Sequence, residues 1–97
     1  MEIALGPYTV RVLRDEATDL LLADDRVDGD SDVRKGVIRV RSDLDHARFR
    51  EVLLHELLHH VVALTHLATK WSEDEQEEAI RALSPWLAMV VTVGVQD

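Results

Sequence analysis

The stretch Leu53-Leu54-His55-Glu56-Leu57-Leu58-His59 decides how the rest of the chain is read. It lies in a run from about Asp45 to about Ala68 that contains neither glycine nor proline. Val52, Leu53, Leu54, Leu57, Leu58, Val61, Val62 and Leu64 put apolar residues on nearly every face of that run. A helix apolar all round packs on several sides at once, so this one is expected at the centre of the fold. Four residues advance a helix by about 400°, so His55 and His59 point within about 40° of each other, one turn apart. Two imidazoles so placed can meet one tetrahedral zinc ion at about 2.0–2.1 Å. Glu56 falls on the neighbouring flank, where it reaches a water beside the metal rather than the metal itself. Histidines and a glutamate among leucines are costly to bury without partners, and a metal supplies one. The bland alternative is a helix whose His and Glu face solvent.

Downstream, Thr69-Lys70-Trp71 allows an antiparallel return. Ser72-Glu73-Asp74-Glu75 then has the form of a capping box and predicts a second helix. Ala79, Ile80, Leu83 and Leu87 give that helix an apolar stripe. Pro85 is expected to interrupt it, with Ser84-Pro85 equally able to start a further short helix. Val90 to Val95 carries no assignable pattern. Upstream, Ser42-Asp43-Leu44-Asp45 offers N-cap oxygens to the central helix. Gly36 to Arg41 alternates as a strand, with Val37, Arg39 and Arg41 on one face and Ile38 and Val40 on the other. Tyr8 to Arg14 reads as a second strand, able to pair with the first though no tight hairpin joins them. Asp15 to Ala23 is read as a short helix, a buried strand being the alternative. Asp24 to Lys35, dense in Asp, reads as an exposed loop. Its acids lack the spacing and terminal Glu of a calcium-binding EF-hand loop. The expected fold is α+β, a small sheet of two or three strands packed on the central helix and a following C-terminal helix.

A chain of 97 residues supports one modest core, so residues 1–97 are expected to form a single domain. The net charge of -8 argues against affinity for nucleic-acid backbones or anionic membranes. With no cysteine, any metal must be held by His and carboxylate. No basic region followed by an apolar stretch opens the chain, and no apolar run reaches the roughly 18 residues of a membrane span. A cytoplasmic location is the expectation.

A zinc site needs a third protein ligand. The extended motif H-E-x-x-H-x-x-G-x-x-H fails, because Val62 stands at the glycine position and His66 comes one residue late. On a continuous helix His66 also lies about 10 Å along the axis from His59. His60 points about 100° away from His59. A glutamate on the following helix is the remaining option, which leaves Glu77 and Glu78, with Glu73 and Glu75 read as first-turn acids. Leu53-Leu54-His55-Glu56-Leu57-Leu58-His59 followed by Glu77-Glu78, Ile80, Leu83-Ser84 and Leu87 resembles the small gluzincin-type zincins of phages and related mobile elements. The likeness covers roughly Val37 to Leu87, and His60 departs from the small residue often found at its position. Glu78-Ala79-Ile80 resembles the Glu-Ala-Ile context of the third ligand in thermolysin-like enzymes, which favours Glu78 over Glu77.

What the resemblance implies is a metallopeptidase of minimal zincin-like fold, with zinc on His55, His59 and Glu78 and with Glu56 as general base. The substrate would be a peptide or protein, and Gly36 to Arg41 a natural edge for an extended chain. Its rival is a zinc-bearing domain of the same kind that is catalytically weak or inactive and acts by binding a partner protein. Tyr8, His66 and Arg81 are the candidates for an oxyanion stabiliser, none with support from its position. Trp71 and Trp86 read as packing residues at the helix junctions, and His46 as a surface residue of the first helical turn.

Overall fold

A computed structural model of the chain describes residues 1–5, 7–65, 69–90 and 95–96. The elements run β1 (Glu2–Leu5), β2 (Tyr8–Leu13), α1 (Glu16–Asp25), β3 (Gly29–Asp32), β4 (Val37–Val40), α2 (His46–Leu64), α3 (Glu73–Val90) and β5 (Val95–Gln96). The class is α+β, as expected, but the sheet is larger than two or three strands. Its order is β3-β4-β2-β1-β5, with four strands of four residues or more and the two-residue β5 beside β1. The two strands read from the sequence do pair, in parallel, Arg11 opposite Val37 and Leu13 opposite Arg39. Every other pairing is antiparallel. Among the described residues no helix is long and apolar enough to cross a membrane.

Three strands escaped the sequence reading, β1, β3 and the two-residue β5, and the first two have a physical reason. β1 exposes both Glu2 and Ala4 and buries only Ile3 fully, so its apolar signal is a single residue. β3 is Gly-Asp-Ser-Asp and contains no apolar side chain at all. It falls inside the segment read as a loop, and what makes it a strand is tertiary. It pairs with β4 from Gly29–Val40 to Asp32–Val37. Arg39 grips Asp30 with both Nε and Nη2 at 2.7 Å. The turn that closes this hairpin is held by the Asp32 carboxylate, which accepts from the Lys35 N–H at 3.1 Å. Gly36 takes φ +65 there, a conformation that side chains disfavour. Because β3 caps this side of the sheet, β4 is internal. Gly36–Arg41, expected to be a free edge, is therefore covered, and β3 is the edge strand on this side.

The helices begin where their caps dictate. The Asp15 and Asp45 carboxylates accept from the N–H groups of Thr18 and Arg48, each at 2.8 Å, at the starts of α1 and α2. Ser72 and Glu75 close the reciprocal box at the start of α3, both bonds at 3.1 Å. The carboxyl end of α2 is Leu64, earlier than the expected Ala68, with Thr65 as its cap; His66 to Ala68 lie outside the described residues. Pro85 does not interrupt α3, which continues to Val90. Of the unassigned segment from Val90 to Val95, Val90 ends α3 and Val95 opens β5, while residues 91–94 lie outside the described residues.

The core forms where one face of the sheet meets α2. Ile3, Val10, Val12, Ile38 and Val40 pack on Phe49, Val52, Leu53 and Leu57. Burying a side chain of this kind contributes roughly 1.5–3 kcal/mol, so α2 is held by its apolar face while its polar residues point elsewhere. The start of α2 is tied to the end of β2 by Arg14, whose Nη2 donates to the Leu44 carbonyl at 2.8 Å. The same guanidinium stacks 4.0 Å over the Phe49 ring. α3 returns antiparallel, since Arg50 donates to the Ala88 carbonyl at 2.9 Å near one end of the pair and His59 meets Gln76 near the other.

Gly29 is where β3 approaches α2 most closely. A Cβ there would stand 2.6 Å from Val52 Cγ1 and 2.9 Å from the Arg39 carbonyl oxygen. The carbonyl belongs to the strand ladder and cannot move aside. Gly29→Ala is therefore expected to destabilise the fold by about 1–3 kcal/mol, the usual cost of overpacking. Denaturant unfolding checks it, and an unchanged midpoint would mean that β3 does not press on α2 as described.

Candidate metal centre

His55 and His59 sit on the half-buried part of α2 beside α3, and Glu56 lies next to them against β3. The His55 and His59 side chains are 21% and 20% exposed. Their ring centroids lie 5.1 Å apart with an interplanar angle of 62°. α3 brings Glu77 against both: one carboxylate oxygen is 3.2 Å from His55 Nε2 and the other 3.0 Å from His59 Nε2. One donor atom from each residue falls within 4.8 Å of the other two, and no other set of three or more His, Cys, Asp or Glu converges this closely among the described residues.

The donors fit a metal ion on chemical grounds. Two imidazole nitrogens and a carboxylate oxygen are a common zinc donor set, and ligand atoms on one tetrahedral zinc stand about 3.3–3.5 Å apart. The 3.0 and 3.2 Å separations are close to that spacing. The histidine tautomer agrees. His59 Nδ1 is 2.7 Å from the side-chain oxygen of Gln76, which only accepts, so Nδ1 carries the hydrogen and in the neutral ring Nε2 is bare. A ring nitrogen this close to a carboxylate oxygen needs a proton or a metal ion between them. Fixing a ligand's orientation through its other ring nitrogen is the usual work of an outer hydrogen bond.

The sequence reading favoured Glu78 as third ligand, whereas the residue that the structure brings against both imidazoles is Glu77. One residue turns a helix by about 100°, and Glu78 is carried to the exposed side of α3. Burial raises the Glu77 pKa, but His55, His59 and Arg81 outweigh it and hold the carboxyl below its ordinary value. His60 is buried at 2% exposure, with Nδ1 against the Glu56 carbonyl and Nε2 unpartnered. It takes no part in the cluster, as expected from its direction. His66 lies outside the described residues.

Glu56 is 7% exposed. Its Oε2 accepts from the Ser31 hydroxyl at 2.9 Å, and its Oε1 lies 4.0 Å from His55 Nε2. Burial pushes its pKa up, against the Ser31 hydrogen bond and the two imidazoles, which favour the charged form; Asp30 adds to the rise. Ser31 and Gln76 were not foreseen as functional. Ser31 sits in an acid-rich segment without pattern, whereas Gln76, next to a candidate ligand, is within reach of a helical-phase argument.

The cluster lies in a groove. Two adjoining cavities of about 460 and 410 Å³ share Gly29, His55, Glu56 and Glu77 as walls. β3 forms one side and the first turns of α3 the other. Of the oxyanion candidates, Tyr8 stands exposed on β2 outside these walls, while Arg81 lines the larger cavity and donates to Glu77 at 3.1 Å. Trp71 is half-buried, but Trp86 is 73% exposed and not the packing residue expected. Nothing on the solvent side of α3 covers it among the described residues. His46 is exposed in the first turn of α2, as expected.

Comparison of the chain with protein-family models, with curated proteins and with solved structures finds no match. The reading of the site rests on its geometry.

Loss of a ligand should cost more than the 10–100-fold typical of an outer-shell residue. Glu77→Ala is thus expected to weaken divalent-metal binding by more than about 100-fold, Gln76→Ala by about 10–100-fold, and Glu78→Ala not measurably. Calorimetric titration with zinc checks the order, and a Glu78→Ala loss exceeding that of Glu77→Ala would return the ligand to Glu78.

Proposed function

We propose that the chain is a zinc-dependent peptidase of reduced zincin-like organisation, in which His55, His59 and Glu77 hold the metal and Glu56 is the general base. The observation that carries this reading is the position of Glu56. A purely structural zinc site has no use for a further carboxylate, yet this one is buried beside the cluster, hydrogen-bonded to Ser31, and faces the groove. Nitrogen and oxygen donors with no sulfur suit zinc among the available ions. A single helical residue pair, one flanking carboxylate and one glutamate from the next helix are the parts on which the zincin likeness rests.

When bound, zinc supplies positive charge that polarises a substrate carbonyl and acidifies water beside it. The protein's own groups do the rest. Glu56 Oε1 faces the cluster and takes the proton of the attacking water, while Ser31 holds Oε2 and fixes the plane of the carboxylate. The same carboxyl returns that proton to the departing nitrogen. Its raised pKa suits both roles, because a base that must become an acid works best near the operating pH. β3 has β4 as its only strand partner among the described strands. An extended peptide can therefore add to its free edge through main-chain hydrogen bonds, with the scissile bond over the cluster.

Glu56→Gln keeps size and leaves the three ligands in place, so zinc content should persist while peptide cleavage falls by about 10²–10⁴-fold, the usual contribution of a general base. Cleavage of a mixed peptide library, read by mass spectrometry with and without chelator, checks this. If zinc-loaded wild type cleaves nothing that Glu56→Gln does not, the domain is a zinc-bearing binding module instead. Ser31→Ala tests the pKa argument separately. It removes a hydrogen bond that favours the charged carboxylate, so the acid limb of the kcat/KM profile should move to higher pH. A limb that stays put or moves down would contradict that role.

A further inference from the structure

We infer that Arg81 is a catalytic residue that stabilises the oxyanion formed during peptide cleavage, an assignment that rests on the peptidase reading above. Hydrolysis begins when the water oxygen bonds to the carbonyl carbon, its proton passes to Glu56, and the carbonyl π pair moves onto the carbonyl oxygen. That oxygen now carries a full negative charge in the groove. The C–N bond then breaks, its electron pair goes to nitrogen with the proton from Glu56, and a carboxylic acid and an amine are left. Donors aimed at the transient charge contribute more than donors aimed at the ground-state carbonyl. The groove must supply one.

Several of the donors along its walls are committed elsewhere. Arg48 is engaged by Asp28 at 2.9 Å and Glu51 at 3.2 Å. The Ser31 hydroxyl is spent on Glu56 and the Ser84 hydroxyl on the Ile80 carbonyl. Gln76 is bound to His59. Arg26 also lines the larger cavity, at the cap of α1, but no ion pair joins it to the cluster among the described residues. Arg81 stands differently. Its Nε donates to the same Glu77 oxygen that faces His55 Nε2, which places the guanidinium within one carboxylate of the cluster. Of the five N–H donors of a guanidinium, one is used there and those on both Nη nitrogens remain. The side chain is 74% exposed, so its far end has room to turn toward a bound substrate. Its charge is permanent at any working pH, and once Glu77 gives its charge to a metal, that of Arg81 is less neutralised.

An arginine that only steadied Glu77 would give a different signature, and the experiment separates the two roles. Wild type, Arg81→Gln and Arg81→Lys are loaded with zinc and their metal content is measured first. Each is then tested on a peptide that wild type cleaves and on a phosphinic analogue of that peptide, whose P–O⁻ group imitates the oxyanion. The expected result is full zinc content in all three proteins, with KM within about threefold and kcat lowered about 10²–10³-fold in Arg81→Gln, as for loss of an oxyanion donor. Analogue affinity, read by calorimetry, should fall by a matching factor, and Arg81→Lys should recover part of both. Analogue affinity and kcat within twofold of wild type at full zinc content would overturn the assignment while leaving the peptidase intact. So would losses that merely follow lost zinc. A wild type that cuts no better than Glu56→Gln would instead remove the peptidase reading itself, and this inference with it.

Discussion

Two imidazole nitrogens and a carboxylate face one another across the junction of α2 and α3, at 3.2 and 3.0 Å. Electron-pair donors held this close repel unless a cation or a proton stands between them. The rest of the structure can be understood as what keeps them together. α2 contributes the histidines at a fixed angular offset, because four residues nearly complete a turn. α3 must then arrive antiparallel and in one rotational setting, so that Glu77 faces inward. The capping box at Ser72 and Glu75 and the bond from Arg50 to the Ala88 carbonyl fix that arrival at opposite ends of the pair. A metal ion bound there would turn the repulsion into coordination, and its binding energy would add to folding.

The second constraint is the nearness of β3 to α2. Gly29 lets the strand lie against Val52, and this sets the Ser31 hydroxyl on Glu56. Burial and the hydrogen bond act on the same carboxyl in opposite directions, which leaves it less acidic than usual yet capable of ionising. The free edge of β3 lies over the same carboxylate and ligands. Here one edge strand and one helix make the groove between them.

How much of this was legible in the sequence depends on whether a feature is local. The spacing of His55, Glu56 and His59 is a statement about one helix, and helical geometry alone brings them to one side. β4 alternates Val37, Ile38, Arg39 and Val40 in the strand period, and its two buried positions are the two that the pattern assigned. Glu77 could not be chosen over Glu78 in the same way, because a rotation of about 100° about the axis of α3 exchanges them, and that rotation is set by packing against α2. The resemblance to thermolysin-like sequences favoured Glu78, the neighbour that does not face the two imidazoles. β3 was illegible for a deeper reason. Gly29-Asp30-Ser31-Asp32 has no apolar residue to show a period, and only the ladder with β4 and the Asp30–Arg39 pair make it a strand. Pro85 misled in the opposite direction, since a proline usually breaks a helix and α3 runs through it.

The central claim is that these three side chains are the ligands of one zinc ion with a position left open for water. A crystal structure of the protein purified with zinc, with anomalous scattering recorded on both sides of the zinc absorption edge, tests it most directly. The account predicts one strong peak, with His55 Nε2, His59 Nε2 and an oxygen of Glu77 at about 2.0–2.2 Å and solvent at the fourth position, facing Glu56. No peak at the cluster, or a fourth protein side chain closing the coordination sphere, would contradict it.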